Sequence, residues 1–370
     1  MRRRTMLPLL SAAVLGLLLP SGPALAERSE AGDKAFLDGL VRTHVQPRVS
    51  ALASAGAELA ARFERFCAAP DAAGLDSVRG GYDAAMDGWA GAQHLRPGPI
   101  LLEGRSDRLA FWPERRGIVG RQLGQFLSAK DPKALEPGAL AKQSAAVQGL
   151  TAIEILLHDK SPTPESFTGD EAGRYRCALG TSIARNFAAL TAEVRDGWAE
   201  LGPKLAAGEA TAVGADARES ANNLYRSVLT MIQVVVDQKL LAPLGQSLED
   251  AKPALAESPR AGRGLRNIAL NLAAMRGFLA GENGGPGMLT LLPATAEGTR
   301  AASVTLAAFD EAQAAAAAVP MPLGPAAADP QARPSAEALL RAAKKAQSHI
   351  NQTLPPLLGI TLGFNELDGD

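Results

Sequence analysis

The stretch EAGRYRCALGTSIARNFAALTAEVRDGWAEL, residues 171–201, decides the fold class. Alanine and leucine dominate it and no run of alternating β-branched residues interrupts it, so it reads as one long helix. The rest of the chain repeats this composition, with aromatic residues at only 4%. The expectation is an all-α protein.

Working outward, helical stretches are predicted from about Asp33 to Ala68 with a bend at Pro47, and from Leu75 to His94 with Gly80 and Gly81 as a weak point. Shorter helices at Arg108–Trp112 and Ile118–Ala129 follow the Pro/Gly-rich segment LRPGPILLEGRSD, and another is predicted at Ala139–Leu157. After the long helix, GPKLAAGEATAVGAD at 202–216 has few large apolar residues and marks a boundary. Beyond it, helices are predicted at Ala217–Leu241, Arg263–Ala280, Thr299–Ala318 and Ser335–Thr353, with VPMPLGPAAADPQARP at 319–334 as a solvated linker. The architecture expected is two helical bundles in series, residues 27–205 and 206–370, with no repeat period of the solenoid kind.

Residues 1–26 are expected to be a cleaved secretory leader, because three arginines precede a short apolar run that ends in Ala24-Leu25-Ala26. No other segment reads as long and apolar enough to cross a bilayer. Without the leader, 35 basic residues face 39 acidic ones. That weak acidity argues against nucleic acid or an anionic membrane surface as partner. The mature chain would then be periplasmic, where thiols oxidise. Cys67 and Cys177 are therefore read as a disulfide, ahead of a metal or catalytic pair.

VQGLTAIEILLHD, residues 147–159, places one carboxylate in an apolar helix. At helical spacing Ser144, Gln148, Thr151, Glu154 and His158 share a sector of roughly 120°, with large aliphatics filling most of the rest. Either this narrow stripe faces solvent, or it faces another polar element inside. In the second case Glu154 needs an arginine, a metal or several hydrogen bonds. Gly149, costly inside a helix, suggests the close approach of another backbone or of a bulky side chain. His158, one turn beyond Glu154, offers a second metal ligand, or serves the helix C-terminus.

Trp112, Arg115, Arg116 and Arg121 form a basic, aromatic block ahead of this helix, suited to pairing Glu154 or to an anion. Arg260, Arg263 and Arg266 place guanidinium groups along the start of a helix in the second half, where they would meet Glu154 if the bundles face each other. His44, His94 and His349 read individually as surface or satisfied core residues, with His94 best placed to enter a cleft. No H-E-x-x-H, G-x-S-x-G or phosphate loop is present, and four histidines are few for a metallopeptidase.

FWPERRGIVGRQL at 111–123, DP at 131–132, SAAVQGLTAIEILLHD at 144–159, RCALGTSIARNFAAL at 176–190, DQKLLAPLG at 237–245 and ESPRAGRGLRNI at 257–268 occur in an order that resembles the imelysin family, also catalogued as a peptidase family and linked to bacterial iron uptake. The resemblance runs from about residue 35 to 360. It implies paired helical bundles, export, and a G-x-H-x-x-E signature that falls on Gly149, Thr151 and Glu154, with threonine in place of histidine. It therefore implies a non-enzymatic binding or accessory component of iron uptake, with iron or another divalent metal as the ion and an envelope iron-transport component as partner. The alternatives are a metal-dependent peptidase and an envelope scaffold.

Overall fold

The structure, a computed structural model, describes residues 28–114 and 116–361. The leader expected over residues 1–26 lies outside the described residues, as does Arg115. In the first half, α1 (Glu30–Leu40) passes through a π-helical turn, Val41–Val45, into α2 (Gln46–Ala68), and α3 (Ala72–Ala92) returns beside it. The short α4 (Arg105–Leu109), α5 (Ile118–Ala129) and α6 (Leu150–His158) lead to α7 (Glu171–Ala207). In the second half, α8 (Ala217–Gln233) continues through a π segment, Val234–Leu241, into α9 (Ala242–Leu244). Next come α10 (Gly264–Ala280), α11 (Ala296–Ala318), α12 (Leu323–Ala328) and α13 (Arg333–Ser348); a last π turn at His349–Thr353 leads into α14 (Leu354–Leu358). No strand occurs among the described residues.

Local chemistry fixes several starts. Asp71, Asp170, Asp216 and Thr295 each accept a hydrogen bond from the backbone N–H three residues on, satisfying one of the free donors of a helix N-terminus. Packing then groups α2 with α3 and α7, with α6 against the latter two, and in the second half α11 with α10 and α13. The halves meet chiefly where α10 lies on α3 and where α1 lies on α8. One apolar cluster runs through both, from Phe36 to Ile360, and encloses Trp89, Trp198 and Tyr225. Cys67 on α2 and Cys177 on α7 form the expected disulfide, their Cα atoms 5.7 Å apart.

Four local expectations are corrected. The first long helix is not α-helical throughout: its pitch changes at Val41–Val45, just ahead of Pro47 in the first turn of α2. The helix expected from Ala139 starts only at Leu150, and the preceding residues form 3-10 turns at Leu140–Lys142 and Ala145–Val147. The segment 319–334 is not solvated throughout, because Leu323, Ala326 and Ala327 of α12 are buried. Finally, Ala217–Leu244 is long and apolar enough by composition to cross a bilayer, contrary to the expectation; 67% of its apolar window is buried in the fold, the position of a core helix.

Candidate functional site

The N-terminus of α6 is clamped against the segment that carries Trp112. Gly149 is its N-cap in extended backbone, not an interior helical residue, and a Cβ there would lie 2.2 Å from the Leu109 carbonyl oxygen and 2.4 Å from that of Arg108. Of the two neighbours expected of this glycine, a backbone or a bulky side chain, the structure supplies the first, the backbone of α4. Gln148, also outside the helix, accepts from Arg108 Nε at 2.9 Å, and the Thr151 hydroxyl donates to the Phe111 carbonyl at 3.3 Å. Ser144 and Gln148 therefore leave the polar stripe. Ser144 instead caps the 3-10 turn that follows it.

Glu154 is 2% exposed. Its partners are two successive backbone amides of the second half: Oε1 accepts from Arg260 N at 2.8 Å and Ala261 N at 3.0 Å. Consecutive N–H groups aimed at one anion form a nest, and here the nest is filled by a carboxylate of the same chain. Burial raises the Glu154 pKa above the ordinary glutamate value, and the two amides and the Arg260 charge partly offset it. Both hydrogen bonds fall on one oxygen. The Glu154 side chain also belongs to the wall of a cavity.

This cavity, about 710 Å³, opens between the halves. Thr151 and Glu154 of α6, Trp112 and Arg116 before α5, Asp237 of the π segment, and the 254–260 segment line it. Behind Trp112 lies a buried cation that sequence reasoning missed. Lys239 is 1% exposed and donates to Glu257 Oε2 at 2.6 Å, Asn271 Oδ1 at 2.8 Å and Gln93 Oε1 at 2.9 Å, while its Nζ sits 5.6 Å from the Trp112 ring centre. Burial lowers the Lys239 pKa, opposed by the Glu257 charge and hydrogen bond. The one sequence signal was a single lysine inside the apolar run VVVDQKLL, residues 234–241.

The other expected site residues disperse. Arg263 pairs with Asp83 at 2.9 Å and with Asp87, and Arg266 pairs with Asp87; both aspartates belong to α3, so neither arginine serves Glu154. The Arg260 guanidinium pairs with Asp159 at 3.1 Å and only its backbone meets Glu154. Arg116 is exposed at the cavity rim, whereas Arg121 bonds the Arg116 carbonyl and does not line the cavity. His158 packs its ring on Tyr82, 5.6 Å between centres, and is absent from the lining. His349 contacts Thr353, and His44 and His94 meet each other away from the cavity.

This donor set does not fit a protein-held metal ion at the Glu154 helix. The Thr151 hydroxyl is engaged, His158 is turned to Tyr82, and no three His, Cys, Asp or Glu side chains converge as ligands among the described residues.

The family described as imelysin, Peptidase M75, matches residues 45–350. An imelysin-like protein from Psychrobacter arcticum 273-4 superposes with a TM-score of 0.77 at 21% identity, covering 92% of this chain and 100% of that one. A candidate iron-regulated protein A precursor from Parabacteroides distasonis ATCC 8503 superposes at 0.74 with 13% identity, covering 90% and 96%. At these identities the two structures establish the shared fold. No curated protein gives a significant match.

Proposed function

Because the chain belongs to the imelysin family, we propose that it is a non-enzymatic binding component of bacterial iron uptake, acting in the periplasm beside an envelope transport component. The cavity between the halves holds its cargo. One observation carries this reading: a cavity of about 710 Å³ has in its lining the buried Glu154, both of whose hydrogen bonds fall on Oε1. That volume suits a small molecule and far exceeds a bare ion. Among the described residues no three His, Cys, Asp or Glu side chains converge as ligands, so the cargo is iron already held by a small chelator.

The family link to iron supports this reading, as does the name of the Parabacteroides protein. The disulfide agrees with an oxidising compartment. The peptidase alternative asks for about three protein ligands and a base around one ion, and the Glu154 helix supplies one carboxylate.

Calorimetry with ferric citrate, a ferric catecholate and a ferric hydroxamate, against ferrous and ferric ions alone, tests it. At least one chelate should bind the wild type and bind Glu154→Gln more weakly. Absence of binding to every chelate, or cleavage of a peptide library by the purified protein, overturns the reading.

A further inference from the structure

The cavity between the halves is lined unevenly in charge. Two of its charged residues are already compensated: Glu257 pairs with Lys239 at 2.6 Å, and the Arg260 guanidinium pairs with Asp159 at 3.1 Å. Close by, Arg263 and Arg266 face Asp83 and Asp87, two cations against two anions. The remaining charged residues of the lining are Glu114, Glu154 and Asp237 against Arg116. Three carboxylates against one guanidinium leave a surplus of two negative charges.

This surplus comes from both halves. Glu114 precedes α5 and accepts from Val119 N at 2.8 Å, whereas Asp237 is exposed on the π segment of the second half. Glu154 lies deeper, and its two amide donors favour the ionised carboxylate. The rest of the wall is largely apolar, with Met86, Trp112 and Leu255 among its members. Leu255 is 40% exposed, so an aliphatic ligand body that covers it removes apolar surface from water.

Ferric chelates differ in charge through their donor groups. Each hydroxamate brings one negative charge, so three of them cancel the ferric ion and leave a neutral complex, or a cation where the linking chain carries an amine. Catecholates bring two charges each, and citrate keeps spare carboxylates, so both kinds of complex stay anionic. A net negative wall in a partly desolvated cavity repels an anion and attracts a cation, and each unit of ligand charge changes affinity several-fold. On the reading of this cavity as the iron-cargo site, on which the step depends, we infer that its cargo is a neutral or cationic ferric chelate of the hydroxamate class with an aliphatic body. Anionic ferric citrate and ferric catecholates are disfavoured.

One chelate body in three charge forms separates charge from shape: ferrioxamine B with its terminal amine free, acetylated or succinylated, giving a cation, a neutral complex and an anion. Calorimetry on the full chain at low salt should show affinity falling in that order, by about 3–10-fold per step. The gap should shrink as salt is added. Ferric citrate and ferric enterobactin should bind at least about 10-fold more weakly than the acetylated form. Asp237→Asn should narrow the gap, and Asp237→Lys, which cancels the surplus at an exposed position, should level the three forms. Equal binding of the three forms by the wild type, tighter binding of the anionic chelates, or a gap unchanged in Asp237→Lys overturns the inference and leaves the iron reading standing. Absence of binding to every ferric chelate overturns both.

Discussion

Glu154 is buried against two backbone amides and no guanidinium, and this fixes how it responds to pH. Its folded pKa is raised, chiefly by burial. In the unfolded chain it ionises near the ordinary glutamate value of about 4.3. Between the two values the unfolded state binds fewer protons than the folded one, so this residue's contribution is fully present below the unfolded pKa and is lost as pH rises through the folded pKa. Glu154→Gln keeps an acceptor for both amides and removes the titration. Its urea-unfolding free energy should therefore gain on the wild type as pH rises from about 4 toward neutrality. Glu154→Ala leaves Arg260 N and Ala261 N without an acceptor, at a cost of about 1–3 kcal/mol each. Equal stabilities of the two variants would show that the nest is not a structural contact. The narrow polar stripe left open whether Glu154 faces solvent or the interior, and the structure turns it inward. Its partner was not readable, because backbone amides 106 and 107 residues away leave no mark in side-chain identity.

α6 shows what a helical pattern reveals and what it conceals. The alanine-rich run from Ala139 has helical composition throughout, yet the regular helix begins only after Gly149. A glycine there signalled a close neighbour correctly; it could not signal that the backbone is extended, since glycine suits both roles. Gly149→Ala places a methyl against two carbonyl oxygens of α4, and backbone cannot yield as a side-chain tip does. The variant should lose at least about 1–3 kcal/mol in chemical denaturation. It should also alter Trp112 fluorescence, because α4 leads directly into that residue. A variant as stable as the wild type would mean that α4 and α6 slide apart freely. The π segments at Val41–Val45 and Val234–Leu241 were not legible at all, since one extra residue per turn has no compositional signature. In 319–334 the apolar spacing of Leu323, Ala326 and Ala327 was present in the sequence and hidden among prolines.

Across the whole molecule, two devices join parts remote in the chain, and they differed in legibility for a physical reason. The Cys67–Cys177 bond was readable because only two cysteines exist and an oxidising compartment pairs them. It ties α2 to α7 over a separation of 110 residues, so Cys67→Ser with Cys177→Ser should cost on the order of 4–5 kcal/mol in the loop-entropy account. The Lys239 network was not readable, since its partners Gln93, Glu257 and Asn271 come from three separate segments. It joins the end of α3 in the first half to the π segment and α10 in the second, and it backs Trp112 at the cavity wall. Lys239→Met fills similar space but leaves Glu257, 3% exposed, with only the Asn267 amide as side-chain donor among the described residues. Removing one member of a buried pair costs about 3–5 kcal/mol, whereas removing both charges is often near neutral. The single variant should therefore unfold well below the wild type in a thermal scan, and Lys239→Met with Glu257→Gln should recover most of the loss. Recovery of stability with weakened chelate binding would show that the buried cation serves the cavity through Trp112. Failure to recover would mean that the Asn271 and Gln93 contacts, and not the charge pair, hold the halves together.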